Sequence, residues 1–155
     1  MTGTHREPSA RLSRGVEREH DQTKGPGTVG QVLVFLYGFF AVAAGARSLY
    51  QLVTRFDEAP FAILLSVTAA AVYVVAFTQL RRRDPRAWKI AVGCVSFELA
   101  GVLIVGTLSL VEGDWFPLPT VWSYFGIGYG FLPLLLPIVG LVWLLRPATR
   151  AAYAR

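Results

Sequence analysis

The sequence predicts an all-α protein: a four-helix transmembrane bundle behind a disordered N-terminal tail, with both termini cytoplasmic. Three observations predict it. Four apolar runs are each long enough to cross a hydrocarbon core, which takes about 20 residues for roughly 30 Å. Of the 15 lysines and arginines, 13 fall on one side of those runs. All four tryptophans fall near run ends, the depth that amphipathic rings prefer.

The tail, residues 1–27, mixes five basic with four acidic residues, has almost no large apolar side chain, and closes on Gly25-Pro26-Gly27. It cannot bury enough apolar surface to fold alone and is expected to be disordered. The first span is placed at Val29 to Val53. Ala44-Gly45-Ala46 has the form of a signal-peptidase site. The apolar run nevertheless continues through Leu49, Leu52 and Val53, so the span is expected to be retained. Pro60 to Leu80 forms the second span and Pro85 to Val111 the third. Both open on a proline suited to the first helical turn, and Asp84 is placed to cap the third. The fourth span is read as Tyr124 to Leu145, ended by Arg146-Pro147.

Charge sets the orientation. Arg6, Arg11, Arg14, Arg18, Lys24, Arg81, Arg82, Arg83, Arg86, Lys89, Arg146, Arg150 and Arg155 share one side. The other side has Arg47 and Arg55, with Asp57, Glu58, Glu112 and Asp114. The first side is therefore expected to be cytoplasmic. Basic residues flanking apolar spans are membrane anchors, which argues against nucleic acid as a partner. Trp88 and Trp143 are expected at the inner interface, and Trp115 and Trp122 at the outer one.

Glu98 is the most informative side chain. It lies roughly 12 Å into the third span at 1.5 Å per residue. An intramembrane carboxyl costs several kcal/mol unless paired or protonated. Small neighbours on its face, among them Ala91, Cys94 and Gly101, let another helix approach. Tyr37 and Tyr73 lie at similar depth and could bond it. Two readings stand: a protonated carboxyl that glues helices together, or a group that exchanges a proton or binds a cation or ligand. Arg47 differs from Glu98 in depth by roughly 12 Å. With Gln51 it belongs to a polar strip, Tyr50, Gln51 and Thr54, leading to the outer face, and is expected to snorkel outward toward Asp57, Glu58 or the third loop. Gly126, Gly130, Pro133, Pro137 and Gly140 recur at spacings of four and three, a helix-packing or kink stripe on one face of the fourth helix. The loop Glu112 to Ser123 is rich in aromatics and is expected to cap the outer surface.

Enzymatic chemistry is not readable. There is no phosphate-binding glycine loop, zinc helix or serine elbow. His5 and His20 lack a second ligand type, and Cys94, the one cysteine, sits among apolar residues as filler. No cofactor or metal is expected. Ile127-Gly128-Tyr129-Gly130 resembles the selectivity filter of potassium channels over four residues. Gly126 stands where that family has threonine, and only 15 residues follow for an inner helix, so no filter is expected.

The Arg/Ala/Val-rich composition, the basic tail, and the segment from Thr120-Val-Trp-Ser to Gly140-Leu-Val-Trp143 carry one broader likeness. On them the chain resembles small four-span integral membrane proteins of high-GC Gram-positive, actinobacterial type, a group without an assigned activity. The resemblance implies a cell-membrane location and transfers no functional residue. The expected partners are the lipid bilayer and either a second copy or another membrane protein. The first functional reading is a non-enzymatic accessory or assembly subunit acting by helix packing. The alternative is an oligomeric solute, proton or ion transporter component using Glu98 and a kinked fourth helix.

Overall fold

The computed structural model describes residues 27–112, 114 and 116–154, and among them every regular element is helical. What the sequence leads one to expect of residues 1–26, Trp115 and Arg155 lies outside those residues. The helices are α1, Thr28–Thr54; α2, Pro60–Arg81; α3, Pro85–Val111; α4, Leu132–Leu144; and α5, Pro147–Tyr153. Two 3-10 segments, Phe56–Glu58 and Ser123–Tyr129, lie in the connections. Pro60, Pro85 and Pro147 each stand in the first turn of a helix, where a missing N–H costs no intrahelical bond. Asp84 caps α3, its carboxylate accepting from the Ala87 amide at 2.9 Å.

Each long helix buries one stripe at spacings of three and four. On α1 it includes Leu33, Tyr37, Phe40, Ala44, Ser48 and Gln51; on α3 it includes Ala91, Val95, Glu98, Val102 and Val105. The inward stripe of α2 is mostly small: Ala62, Ser66, Ala69, Ala70 and Ala76. Small residues let α1 and α3 each pack closely on α2, and α4 packs on α3 with a lighter contact to α1. The outward faces are just as apolar. Phe35, Val42 and Val53 are 70%, 74% and 77% exposed. A helix apolar all round needs an apolar surrounding. Accordingly α1, α2 and α3 are long and apolar enough to cross a membrane, and a fourth crossing exists if the bent pair Ser123–Tyr129 and Leu132–Leu144 counts as one.

That pair is where the structure departs from the expected single helix over Tyr124 to Leu145. The two pieces meet at 101°. The backbone is left-handed at Tyr124, Phe125, Gly126, Gly130 and Phe131, which no α-helix tolerates. Gly126 has φ of +78°, and a Cβ there would lie 2.7 Å from the Pro133 ring, so the turn folds back onto the start of α4. The five-residue stripe is therefore not one helical face. Only Pro133, Pro137 and Gly140 share a helix, all three buried. The break falls at Gly130 and Phe131, and α4 continues through Pro137. The filter-like tetrapeptide lies in this turn, where the carbonyls of Gly126 and Ile127 accept bonds from Phe131 and Gly130 instead of lining a path.

With 13 residues, α4 is about 20 Å long. The connection before it is partly buried. Phe116, Thr120, Val121 and Trp122 are buried. Trp122, expected at the outer interface, is a core residue, only 2% exposed. The expected surface cap thus dips into the bundle.

At the opposite end the helices are tied together. Trp88 of α3 donates through Nε1 to the Leu144 carbonyl at 3.0 Å, and the Tyr153 hydroxyl of α5 donates to the Leu80 carbonyl at 3.1 Å. The guanidinium of Arg150 lies 5.2 Å from the Trp88 ring centre. Gln31 and Arg81 line one groove there, which brings the start of α1 to the same end. This end carries Arg81, Arg82, Arg83, Arg86, Lys89, Arg146 and Arg150; the other carries Asp57, Glu58, Glu112 and Asp114.

Candidate functional site

Glu98 occupies the middle of the 27-residue α3, on the buried stripe, with 0% of its surface exposed. Its Oε2 accepts from the Tyr37 hydroxyl of α1 at 2.7 Å. This bond joins two helices that stand diagonally across the bundle. Tyr37 reaches across because its side chain is long, and Gly140 on α4 lies beside it: a Cβ at Gly140 would be 3.5 Å from the Tyr37 hydroxyl and 3.2 Å from Val95 Cγ1. Tyr73 of α2 completes the expected trio. Its ring centre lies 6.0 Å from that of Tyr37, and its ring stacks on Phe40 at 5.4 Å.

The Tyr73 hydroxyl neighbours both the Glu98 carboxyl and the Trp122 indole. Neither contact reaches hydrogen-bond geometry. Glu98 Oε1, the Tyr73 hydroxyl and Trp122 Nε1 are the buried side-chain polar atoms left without a partner among the described residues. They neighbour one another, with the indole N–H and the phenol O–H as donors and the carboxyl oxygen as an acceptor. No basic side chain pairs with Glu98 among the described residues.

Sequence reasoning missed Trp122 as a member of this site. Its place depends on two local devices. The amide of Thr120 donates to Ser123 Oγ at 2.9 Å, while the amides of Trp122 and Ser123 each donate to Thr120 Oγ1 at 3.1 Å. This reciprocal pairing satisfies backbone groups that a buried loop would otherwise leave bare. Gly101, one helical turn beyond Glu98, then receives the indole, since a Cβ there would lie 2.8 Å from the ring. No sequence signal marked it: a capping box needs Glu or Gln at its fourth position, and Thr120-x-x-Ser123 has serine there.

The members of the expected outer-face polar strip differ in burial. Gln51 is buried on the inner stripe of α1, whereas Tyr50 and Thr54 are exposed. Arg47 is half-buried and turns toward the third connection, donating to the Tyr129 hydroxyl at 2.9 Å and to the Pro119 carbonyl at 3.0 Å. It is not brought to Glu98. Instead it fixes the turn that carries Tyr129, whose ring packs edge-on against Phe40 at 5.8 Å. Arg47 and Glu98 thus lie on opposite sides of an aromatic layer of Phe40, Tyr73 and Tyr129.

Chemically, the site offers one carboxyl, two phenols and an indole N–H in an enclosed core. Three grooves on the surface, one between α1 and α2, one between α1 and α4, and one beside Trp88, have none of Glu98, Tyr37 or Tyr73 in their walls. No group of three or more His, Cys, Asp or Glu among the described residues could hold a metal. Searches against known protein families, curated proteins and solved structures return no match to this chain.

Proposed function

We propose that this chain is a small, non-enzymatic subunit of the bacterial cell membrane that acts by helix packing, as an accessory or assembly component. The observation that carries this reading is the burial of Glu98. A carboxyl at the centre of an apolar helix, with 0% exposure and a Tyr37 bond, ties α1 to α3 and offers a solute no entrance. In that role Glu98 is an uncharged acid, because an ionised one in lipid without a cation costs several kcal/mol. The apolar outer faces of α1 to α3 are then available to lipid, to a second copy or to a larger membrane assembly.

One observation favours the second reading, a proton- or cation-conducting component. Three partnerless polar atoms around one carboxyl, beside a broken span, are the materials from which membrane proteins build ion sites. Glu98→Gln separates the two, since glutamine keeps the shape and cannot acquire charge. The packing reading expects the Gln variant to unfold in detergent at the wild-type temperature, and Glu98→Ala to lose about 1–3 kcal/mol. It also expects wild-type proteoliposomes to carry no proton or cation flux. A wild-type flux that vanishes in a stably folded Gln variant would overturn it.

A further inference from the structure

A groove of about 1050 Å³ runs between α1 and α2 from the basic end toward the middle of the bundle. Its walls are apolar along most of its length, formed by Val34, Phe35, Phe39, Val42, Val74 and Phe77. Its polar lining is Gln31, Thr78, Arg81 and Arg83. All four lie at the basic end, Gln31 in the first turns of α1 and the others at or just beyond the end of α2. From Gln31 to Val42 the groove covers about 16 Å at 1.5 Å per residue, roughly half of a 30 Å hydrocarbon core. It therefore has the length of one leaflet, with charge at the headgroup level and hydrocarbon below.

Two contacts shape it. Gly38 has no Cβ, and one there would lie 2.9 Å from the Phe77 ring, so this ring packs closely against α1. The Arg81 guanidinium sits 5.3 Å from the centre of the same ring. Stacking holds the cation over the mouth while its in-plane N–H groups stay available to a phosphate.

We propose that this groove binds one anionic phospholipid, its phosphate held by Arg81 and Arg83 and an acyl chain lying along the apolar wall. A free anion would have no use for the wall. A second copy docked on a twofold axis would bring its own Arg81 and Arg83 against these two, a like-charge contact. The proposal rests on the reading of the chain as a membrane protein.

The test uses the full chain reconstituted in phosphatidylcholine vesicles with and without phosphatidylglycerol, then native mass spectrometry of the protein with both lipids present. Resistance to alkaline carbonate extraction reports on the membrane reading separately. We expect one phosphatidylglycerol retained in preference to phosphatidylcholine. Arg81→Gln with Arg83→Gln should lower that preference about thirty-fold, near fivefold for each arginine. Arg82→Gln with Arg86→Gln removes the same charge from the same end outside the groove and should leave the preference within about twofold. Val74→Trp, which fills the wall, should reduce occupancy by both lipids alike. Equal losses in the two double variants, no retained lipid in a carbonate-resistant protein, or a dimer that Val74→Trp dissociates would each overturn the proposal. A chain that carbonate extracts would overturn the membrane reading and this one with it.

Discussion

Around Glu98 two phenols offer the same chemistry from different helices, and only Tyr37 is bonded to the carboxyl. Their phenylalanine variants should therefore differ. Tyr37→Phe removes the donor to Oε2 in a sealed core and should cost about 1–3 kcal/mol of stability. Tyr73→Phe deletes a hydroxyl that already lacks a partner and should be neutral or slightly stabilising. Thermal unfolding of both in one detergent checks this, and equal losses would show that Tyr73 bonds the carboxyl too. The pairing of Glu98 with a tyrosine could be read from the sequence for a simple reason. A lone carboxyl in an apolar run stands out, and helical rise converts residue number into depth. The place of Trp122 could not, because a connection has no fixed rise. Its path follows from Thr120 and Ser123 completing each other's bonds and from a glycine on another helix leaving room.

Among the elements, α1, α2 and α3 were legible almost to the residue, since apolar runs bounded by Pro60, Asp84 and Pro85 state both their material and their ends. The fourth run was not. Apolar composition reports what surrounds a segment and says nothing of its backbone path, and Gly126 and Gly130 serve a tight turn as well as a packing face. A matched pair of substitutions tests that turn. Gly126→Ala meets a left-handed φ and the Pro133 ring at 2.7 Å, and should cost roughly 2–4 kcal/mol. Gly128→Ala meets open space without a positive φ and should stay within about 0.5 kcal/mol. Were the segment a regular helix, both would be harmless. The short α5 has its own signature at the other end. Burial pushes the Tyr153 phenol above its usual value, with Arg83 opposing, and the docked hydroxyl donates to the Leu80 carbonyl. Since the docked form holds its proton more tightly, this stabilisation is complete below about pH 10 and is lost as pH rises through the docked value. Unfolding measured from neutral to alkaline pH should show that loss in the wild type, and Tyr153→Phe should lack it.

For the whole molecule the question is whether a chain with three full-length helices and one broken piece returns its C-terminus to the starting side. Counting helices alone would leave this open, since α4 is about 20 Å long and a hydrocarbon core roughly 30 Å. The side-chain ties bear on it. Leu144 at the end of α4 is bonded to Trp88 near the start of α3, and Tyr153 is bonded to the end of α2. In the connection before α4, Phe116, Thr120, Val121 and Trp122 are buried while Pro117 and Pro119 are exposed. Three crossings are single helices, and the bent pair Ser123–Tyr129 and Leu132–Leu144 makes a fourth if it counts as one. Charge adds an expected direction: the end reached by α5 holds Arg81, Arg82, Arg83, Arg86, Lys89, Arg146 and Arg150, and such basic clusters are expected on the cytoplasmic side. We therefore expect a reporter fused after Arg155 to be active only as a cytoplasmic fusion, and one inserted at Asp114 only as an external one. If the bent pair were a re-entrant loop that turns back at mid-membrane, the C-terminal reporter would instead report the outside. In that case the bonds from Trp88 and Tyr153 could not both exist, and cysteine labelling of Ala154→Cys in intact cells would detect it independently.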